Sequence, residues 1–332
     1  MLERTIKQVV RKKVDDWLST VPDDLEKVIR DNLIITGGCF TSMMQNETPH
    51  DYDCYFRTKE AVLAVANYYV DKWNEKHKGQ KNKLGKACEC MVLDGENPSQ
   101  QLLDYYKIKE LKKSESRMIA NCPSDRVKII FPSDGVTGDP EAARASEELG
   151  TAPEVIGELD EVSAEDILNQ EKERYAPVFM STNAITLSNS IQLIVRFYGN
   201  PDEIHDTFDF RHAQAYWRSD TGELSIPAEV YECVMNKTLI YTGSKYPVCS
   251  MFRLRKFIER GWKVNAGQML KIAMQISDLD LHNIDVLEDQ LVGVDSLYFL
   301  ALIRRFEEVQ KNKEGFELTT DYVVSVIDKI FG

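Results

Sequence analysis

The chain has 332 residues, a mass of 38.1 kDa and 43% apolar residues, enough for two domains with separate cores. It has no apolar run long enough to cross a membrane. Its first residues mix both charges at helical spacing, which excludes a signal peptide. Its seven cysteines are odd in number and scattered, as is typical of reduced thiols. We therefore expect a cytoplasmic protein without a membrane partner.

The net charge of −13 is concentrated in one segment. Residues 134–174 hold thirteen acidic and three basic residues, which leaves a net charge of −3 for the rest of the chain. The segment is poor in aromatic residues and rich in Gly, Pro, Ala and Glu, which predicts a flexible insertion. Lysines gather at Lys72–Lys86 and Lys107–Lys113, in two groups that could follow an RNA backbone.

The hydrophobic pattern predicts an α+β fold in three parts. Residues 1–32 form two helices, Leu2–Ser19 and Pro22–Asp31, that pack on a catalytic domain at residues 33–226. Residues 227–332 are periodic throughout and predict a helical accessory domain. For the catalytic domain we expect a mixed sheet with flanking helices: a strand from Leu33, helices near Thr58–His77 and Pro98–Lys113, and strands near Val127–Phe131, Val178–Leu187, Ile191–Phe197 and Phe208–Trp217.

Two aspartates open the second strand of this domain. Residues two apart on a strand project from one face, so Asp51 and Asp53 direct their carboxylates into one volume while Tyr52 faces the core. Carboxylates held this close repel each other unless a cation neutralises them. Hard oxygen ligands with room for water and phosphate suit Mg²⁺. The pair therefore predicts a metal site.

A Gly-Gly turn separates the first strand from these aspartates. Because Gly37 and Gly38 lack Cβ atoms, the backbone can turn sharply there and approach a ligand. The next segment can present backbone N–H groups to phosphate from a helix start, and Ser42 adds a hydroxyl donor. We expect these three residues to bind a nucleotide.

This combination of strand, Gly-Gly, Ser42 and Asp-x-Asp resembles the signature of the nucleotidyltransferase superfamily, which includes DNA polymerase beta, CCA-adding enzymes and poly(A) polymerases. Over about residues 30–262 the chain is similar to nucleotidyltransferase-like proteins of tailed bacteriophages. The resemblance implies a nucleoside triphosphate substrate, two Mg²⁺ ions that Mn²⁺ could replace, and a third carboxylate on a later strand. It also implies a location in the host cytoplasm if a phage encodes the chain.

Asp209 is our candidate for the third carboxylate. Its two phenylalanine neighbours point into the core, so Asp209 faces the other way, as a ligand must if its strand pairs beside that of the Asp pair. Asp206 is the competitor, but it lies in a short helix before the strand, where an acid is ordinarily a surface residue. The resemblance implies that Asp51 and Asp53 bind both ions, and that Asp209 binds the catalytic ion and helps deprotonate the attacking hydroxyl.

Three arginines are further candidates for nucleotide binding. Arg253, Arg255 and Arg260 lie in a segment that resembles the helix leading from the catalytic domain of CCA-adding enzymes into their helical domain. The resemblance implies that these arginines face the triphosphate or the base. The chain has Thr41-Ser42 where CCA-adding enzymes place Arg-Asp, so their nucleotide specificity does not carry over.

Two functions of different class remain open. One is a Mg²⁺-dependent enzyme that transfers a nucleotide to an acceptor hydroxyl, with an RNA 3′ end, above all that of tRNA, ahead of a protein or a small molecule. The other is a binding protein that keeps the fold without turnover and acts on RNA, nucleotide or a protein partner. The acids and glycines of the signature are all present, which favours the enzyme.

Overall fold

The computed structural model describes residues 1–80, 89–106, 126–130, 136–138, 173–181, 183–283, 286, 287, 290 and 319–331. Most of the acidic segment at 134–174 and the lysine group at 107–113 lie outside these residues. The chain divides into two compact units. The first comprises Met1–Arg144, Ala152–His205 and His212–Val234, and the second comprises Ala145–Thr151, Asp206–Arg211 and Met235–Gly332.

The chain begins with two helices, α1 (Glu3–Leu18) and α2 (Asp23–Asn32). Apolar residues of α1 recur at helical spacing and are buried. Trp17, at the end of this stripe, donates a hydrogen bond from Nε1 to the Tyr69 hydroxyl at 2.8 Å. Tyr69 belongs to α4 (Lys59–Lys76). A buried N–H without an acceptor costs about 1–3 kcal/mol, so this bond holds α1 against α4.

The first unit is built on a mixed sheet. Its strands are β1 (Leu33–Thr36), β2 (Tyr52–Phe56), β5 (Val136–Gly138), β6 (Pro177–Ser181), β7 (Ala184–Leu187), β8 (Ile191–Tyr198), β9 (Tyr216–Arg218) and β10 (Leu224–Ser225), in the order β10-β9-β1-β2-β8-β7-β6-β5. β2 and β8 are parallel, and the other neighbours are antiparallel. β3 (Met91–Asp94) and β4 (Val127–Ile130) form a separate antiparallel pair. The prediction of an α+β fold with a mixed sheet is confirmed.

Helices flank this sheet and make up the described part of the second unit. The remaining helices are α3 (Gly38–Met44), α5 (Pro98–Tyr106), α6 (Pro201–His205), α7 (Ala228–Asn236), α8 (Pro247–Glu259), α9 (Ala266–Ser277) and α10 (Thr320–Phe331), with a 3₁₀ turn at Arg211–Ala213. The five cysteines that the structure describes are all buried. In the same residues no helix is long and apolar enough to cross a membrane.

The strand predicted over Phe208–Trp217 is wrong for most of its length. Only Tyr216–Arg218 forms a strand, and it pairs with β1 rather than with β2. The backbone before it bonds elsewhere: Arg211 N donates to Ile240 O at 3.0 Å, and Thr242 N donates to Asp209 O at 2.9 Å. These bonds pair backbone groups of Asp209 and Arg211 with residues 240–242 instead of with β2, and the chain then enters the 3₁₀ turn. The expected strand carrying Asp209 beside the Asp pair is therefore not formed.

A second correction concerns Val178–Leu187, which we predicted as one strand. The structure has two strands there, β6 and β7, which pair antiparallel. Ser181 explains the break, because its hydroxyl accepts a hydrogen bond from Ala184 N at 3.1 Å and thereby closes the turn.

The hairpin of β9 and β10 is fixed by an aspartate in its turn. Asp220 accepts hydrogen bonds from Arg218 Nη2 at 2.6 Å and from Arg57 Nη1, which follows β2, at 2.8 Å. Burial alone would raise the pKa of Asp220, but the hydrogen bond and charge of Arg218 outweigh burial and hold this pKa below its ordinary value. The carboxylate therefore stabilises the fold in its charged form.

This predicts an acid-dependent contribution from Asp220. A pKa that is lower in the folded state stabilises the fold above about pH 4, and the contribution disappears as the pH falls through the folded pKa. We expect Asp220→Asn to lower the free energy of unfolding by about 1 kcal/mol at pH 7 and by less at pH 3. Urea unfolding across this pH range, with the exposed Glu223→Gln as control, measures the difference. A deficit that is equal at both pH values would contradict the prediction.

Candidate functional site

The paired aspartates lie at the start of β2. Asp53 is on the strand and Asp51 directly precedes it, while Tyr52 is buried between them. Burial raises the pKa of the Cys39 and Cys54 thiols well above the ordinary value, and the charges of Asp53 and Asp51 raise it further. Both carboxylates therefore lie near the same two thiols, in one region of the first unit.

Gly37 packs directly against one of these carboxylates. It ends β1 with φ 92° and ψ −155° and precedes α3, which begins at Gly38. A methyl group on Gly37 would lie 2.5 Å from Asp53 Oδ2, whereas one on Gly38 would have nothing within 4 Å. Only the first glycine of the pair is therefore required by both its conformation and its surroundings. Ser42 lies within α3 and is half-buried.

The neighbours of Asp53 in the sheet are uncharged. Thr36 on β1 and Gln192 on β8 are its register partners. The Thr36 hydroxyl donates to Ala215 O at 2.7 Å and also lies 2.8 Å from His205 Nε2. A hydroxyl has one proton to donate, so Nε2 of His205 carries the hydrogen of the second bond. Thr36 is thus fixed by hydrogen bonds on both sides.

The 3₁₀ turn and the residues after it hold the Gly-Gly loop in place. Gly37 N donates to Ala213 O at 3.1 Å, and the Thr41 hydroxyl donates to His212 O at 2.9 Å. His212 is itself buried. The part that Thr36 and His205 take in this arrangement was not foreseen from the sequence, because both lie in short elements without a recognisable motif.

Asp209 belongs to the second unit, where it forms an ion pair. Its buried carboxylate accepts a hydrogen bond from Arg253 Nη1 at 2.7 Å. Burial and the charge of Asp209 raise the pKa of Tyr241 to about 12, in spite of a hydrogen bond with Ser250 that lowers it. The predicted third ligand and one of the predicted nucleotide-binding arginines thus contact each other. The roles proposed for them at a nucleotide site stay predictions.

The other two arginines differ in their surroundings. Arg255 is exposed and pairs with Glu259 at 2.9 Å along α8. Arg260 is the residue at which α8 ends, before Gly261 with φ 79°. In the first lysine group, Lys72 pairs with Glu173 at 2.8 Å, so part of its charge is already compensated.

The donor set of the first unit fits a divalent cation with few protein ligands. In the part of the chain that the structure describes, no three His, Cys, Asp or Glu side chains are grouped to hold a metal ion. Asp51 and Asp53 supply two carboxylates, and the missing Cβ of Gly37 lets the loop approach the Asp53 carboxylate closely. Mg²⁺ commonly keeps several waters and binds through one or two carboxylates and substrate phosphates. The two aspartates meet that requirement.

The two glycines offer a matched test of this geometry. Gly37→Ala places a methyl group against Asp53 in a conformation that alanine rarely adopts, so we expect it to lower the free energy of unfolding by about 1–3 kcal/mol. Gly38→Ala meets no neighbour at a helix start, and we expect it to be neutral or to stabilise by up to about 1 kcal/mol. Urea unfolding of both variants gives the comparison, and equal stabilities would contradict the packing described above.

Comparisons with known proteins place the first unit in a family. A family model described as Gabija anti-defense 2 family protein matches residues 8–237, which include every strand of the main sheet. The chain is 21% identical over 136 residues to Gabija anti-defense 2 of Bacillus phage SPbetaL7. That match covers 41% of this chain and 32% of the relative, so the chain spans about a third of the relative's length. No solved structure matches the chain. The family match covers more than half of the sequence, and the chain belongs to the Gabija anti-defense 2 family.

Proposed function

We propose that this protein counters the Gabija defence by transferring a nucleotide from a nucleoside triphosphate to an acceptor hydroxyl. The observation that carries the proposal is the packing of the Gly37 backbone against Asp53, with Asp51 beside it and α3 starting at Gly38. A glycine turn that passes close to paired carboxylates could bring backbone N–H groups to a triphosphate whose cation the carboxylates hold. The family match includes all of these residues, and its description supplies the biological role.

Asp51 and Asp53 would hold Mg²⁺ in this proposal. When bound, the ion would neutralise the two carboxylates, brace the triphosphate and favour deprotonation of the acceptor hydroxyl. The resemblance to nucleotidyltransferases implies two ions and a role for Asp209 with one of them, and both remain part of the proposal.

The residues of the chain itself position the reactants. Gly37 lets the loop pass close to Asp53, and Thr36 fixes the strand end through its bonds to Ala215 O and His205. Ser42 would contribute a hydroxyl donor to the phosphates from α3. Holding reactants and charges in a fixed arrangement of this kind is the main contribution that a protein makes to phosphoryl transfer.

The proposal includes two acceptor hydroxyls, one on RNA and one on a protein. The sequence favoured an RNA 3′ end, above all that of tRNA, ahead of a protein or a small molecule. The family description adds a specific reason for a protein acceptor, because an anti-defense protein must act on some component of the defence or on something it requires. We place an RNA end and a protein of the Gabija defence as the two acceptors to test first.

A second candidate is a protein that binds nucleotide, RNA or a defence protein without turnover. This candidate is favoured by the uncharged register partners of Asp53, Thr36 and Gln192, because neither adds a third carboxylate beside Asp53. A binding protein would need the fold and the surface, but not the full set of metal ligands.

One experiment separates these functions. Cells carrying the Gabija defence are infected by a phage that Gabija restricts, with and without this protein, and plaques are counted. In parallel, extracts of these cells receive the purified protein, Mg²⁺ and each radiolabelled nucleoside triphosphate. We expect the protein to restore plaques and to place label in a discrete RNA or protein band. For Asp51→Asn and Asp53→Asn we expect a loss of label on the order of 100-fold or more, together with loss of plaques.

The exposed Asp71→Asn on α4 is the matched control, because it removes an acid of the same unit away from β2. It should retain label and plaques. Rescue of plaques by folded Asp51→Asn and Asp53→Asn proteins, with no label in any fraction, would reject the enzyme in favour of the binding protein. Failure of the wild-type protein to restore plaques would reject the anti-Gabija role.

A further inference from the structure

The strand beside the Asp pair presents a neutral amide to Asp53. β8 runs parallel to β2, and Gln192 is in register with Asp53 while Leu193 is in register with Cys54. Register partners on neighbouring strands project from the same face of a sheet. Leu193 and Cys54 are both fully buried, and Gln192 projects from the opposite face, together with Asp53.

Gln192 alternates with buried apolar residues along β8. Ile191, Leu193 and Val195 are buried, and Gln192 is a half-buried polar residue between the first two. Within the described part of the chain its side-chain amide has no hydrogen-bond partner. An amide offers one oxygen that accepts and one nitrogen that donates, and half-buried polar groups usually use them. Because Gln192 and Asp53 lie side by side on one face of the sheet, the Gln192 oxygen is a candidate ligand for a cation at Asp53.

The charge around Asp53 limits what this ligand can be. On the other side of β2 the register partner is Thr36, whose hydroxyl is already engaged by Ala215 O and His205. The sheet positions at and beside Asp53 thus combine the carboxylates of Asp51 and Asp53 with one neutral amide, that of Gln192. Two carboxylates balance the charge of one divalent cation. Among the described residues, neither register partner of Asp53 offers a second cation a further carboxylate, so that cation would depend on the charge of a triphosphate.

We propose that the first unit binds a single divalent cation before nucleotide arrives, with Asp51 and Asp53 as the charged ligands and the Gln192 side-chain oxygen as a neutral ligand from β8. This inference rests on the proposed function, because it assigns a further residue to the same metal site. It makes any second ion dependent on the nucleotide that brings it.

The test counts Mn²⁺ ions bound to the full-length protein without nucleotide, using the electron paramagnetic resonance signal of free Mn²⁺. The wild-type protein should bind one ion. Gln192→Ala should weaken binding by about 10-fold or more, as loss of a group at a metal site commonly does. Gln192→Glu keeps the size of the side chain and adds a carboxylate, so it should bind Mn²⁺ at least about 10-fold more tightly.

Thr186→Ala on β7 is the control. Thr186 is the register partner of Gln192 on the strand farther from Asp53, so the variant changes the same face of the sheet without removing a proposed ligand. It should bind as the wild-type protein does. Thermal unfolding of each variant without metal verifies that it is folded. If Gln192→Ala does not fold, the affinity of Gln192→Glu for Mn²⁺ tests the inference.

The outcomes distinguish this inference from the proposed function. Loss of Mn²⁺ binding in Asp53→Asn, with wild-type affinity in both Gln192 variants, would overturn the role of Gln192 and leave the site intact. Two ions bound to the wild-type protein without nucleotide would overturn the single-ion inference in the same way. No Mn²⁺ bound to the wild-type protein, or binding unaffected by Asp51→Asn and Asp53→Asn, would instead remove the metal site on which the proposed function depends.

Discussion

The close contact between the Gly37 backbone and the Asp53 carboxylate is the constraint on which the site depends. A methyl group at Gly37 would lie 2.5 Å from Asp53 Oδ2, so only glycine lets the chain leave β1 at this point. α3 begins directly after this turn, and Gly37 N donates a hydrogen bond to Ala213 O. Gly37 therefore determines how the loop leaves β1 and where its backbone forms a hydrogen bond.

The electrostatics of the site follow from the same contact. Asp51 and Asp53 lie close to Cys39 and Cys54, and burial together with the two charges raises the pKa of both thiols. The thiols therefore stay neutral and leave the carboxylates as the negative charge of this region. Carboxylates held together at the edge of a core repel one another, and a divalent cation relieves that repulsion.

The sequence was most informative where structure is local. The apolar run from Leu33, the Gly-Gly turn and the alternation around Asp53 predicted β1, α3 and β2, because each depends on neighbouring residues. It failed over Phe208–Trp217, where the alternation of Phe208 and Phe210 resembles a strand. There the backbone instead bonds to residues 240–242, which no local pattern reveals.

Gln192 was missed for a related reason. The role that we propose for it depends on the parallel pairing of β2 with β8, which joins residues far apart in the sequence. The sequence does show Gln192 as a polar residue between buried neighbours. The pattern of one strand, however, does not reveal which other strand pairs with it. The third carboxylate was sought at Asp209 because an acid between two aromatic residues is a local pattern, whereas register in a mixed sheet is a property of the whole fold.

The central claim is that Asp51 and Asp53 hold a divalent cation with a nucleoside triphosphate in the first unit. The most direct measurement is the anomalous scattering of Mn²⁺ in crystals grown with Mn²⁺ and a non-hydrolysable nucleoside triphosphate. The account predicts a peak bounded by the carboxylates of Asp51 and Asp53, with the phosphates of the nucleotide next to it and the Gly37 backbone alongside. Bound nucleotide with its ion at another place, or no bound nucleotide or ion under these conditions, would contradict it.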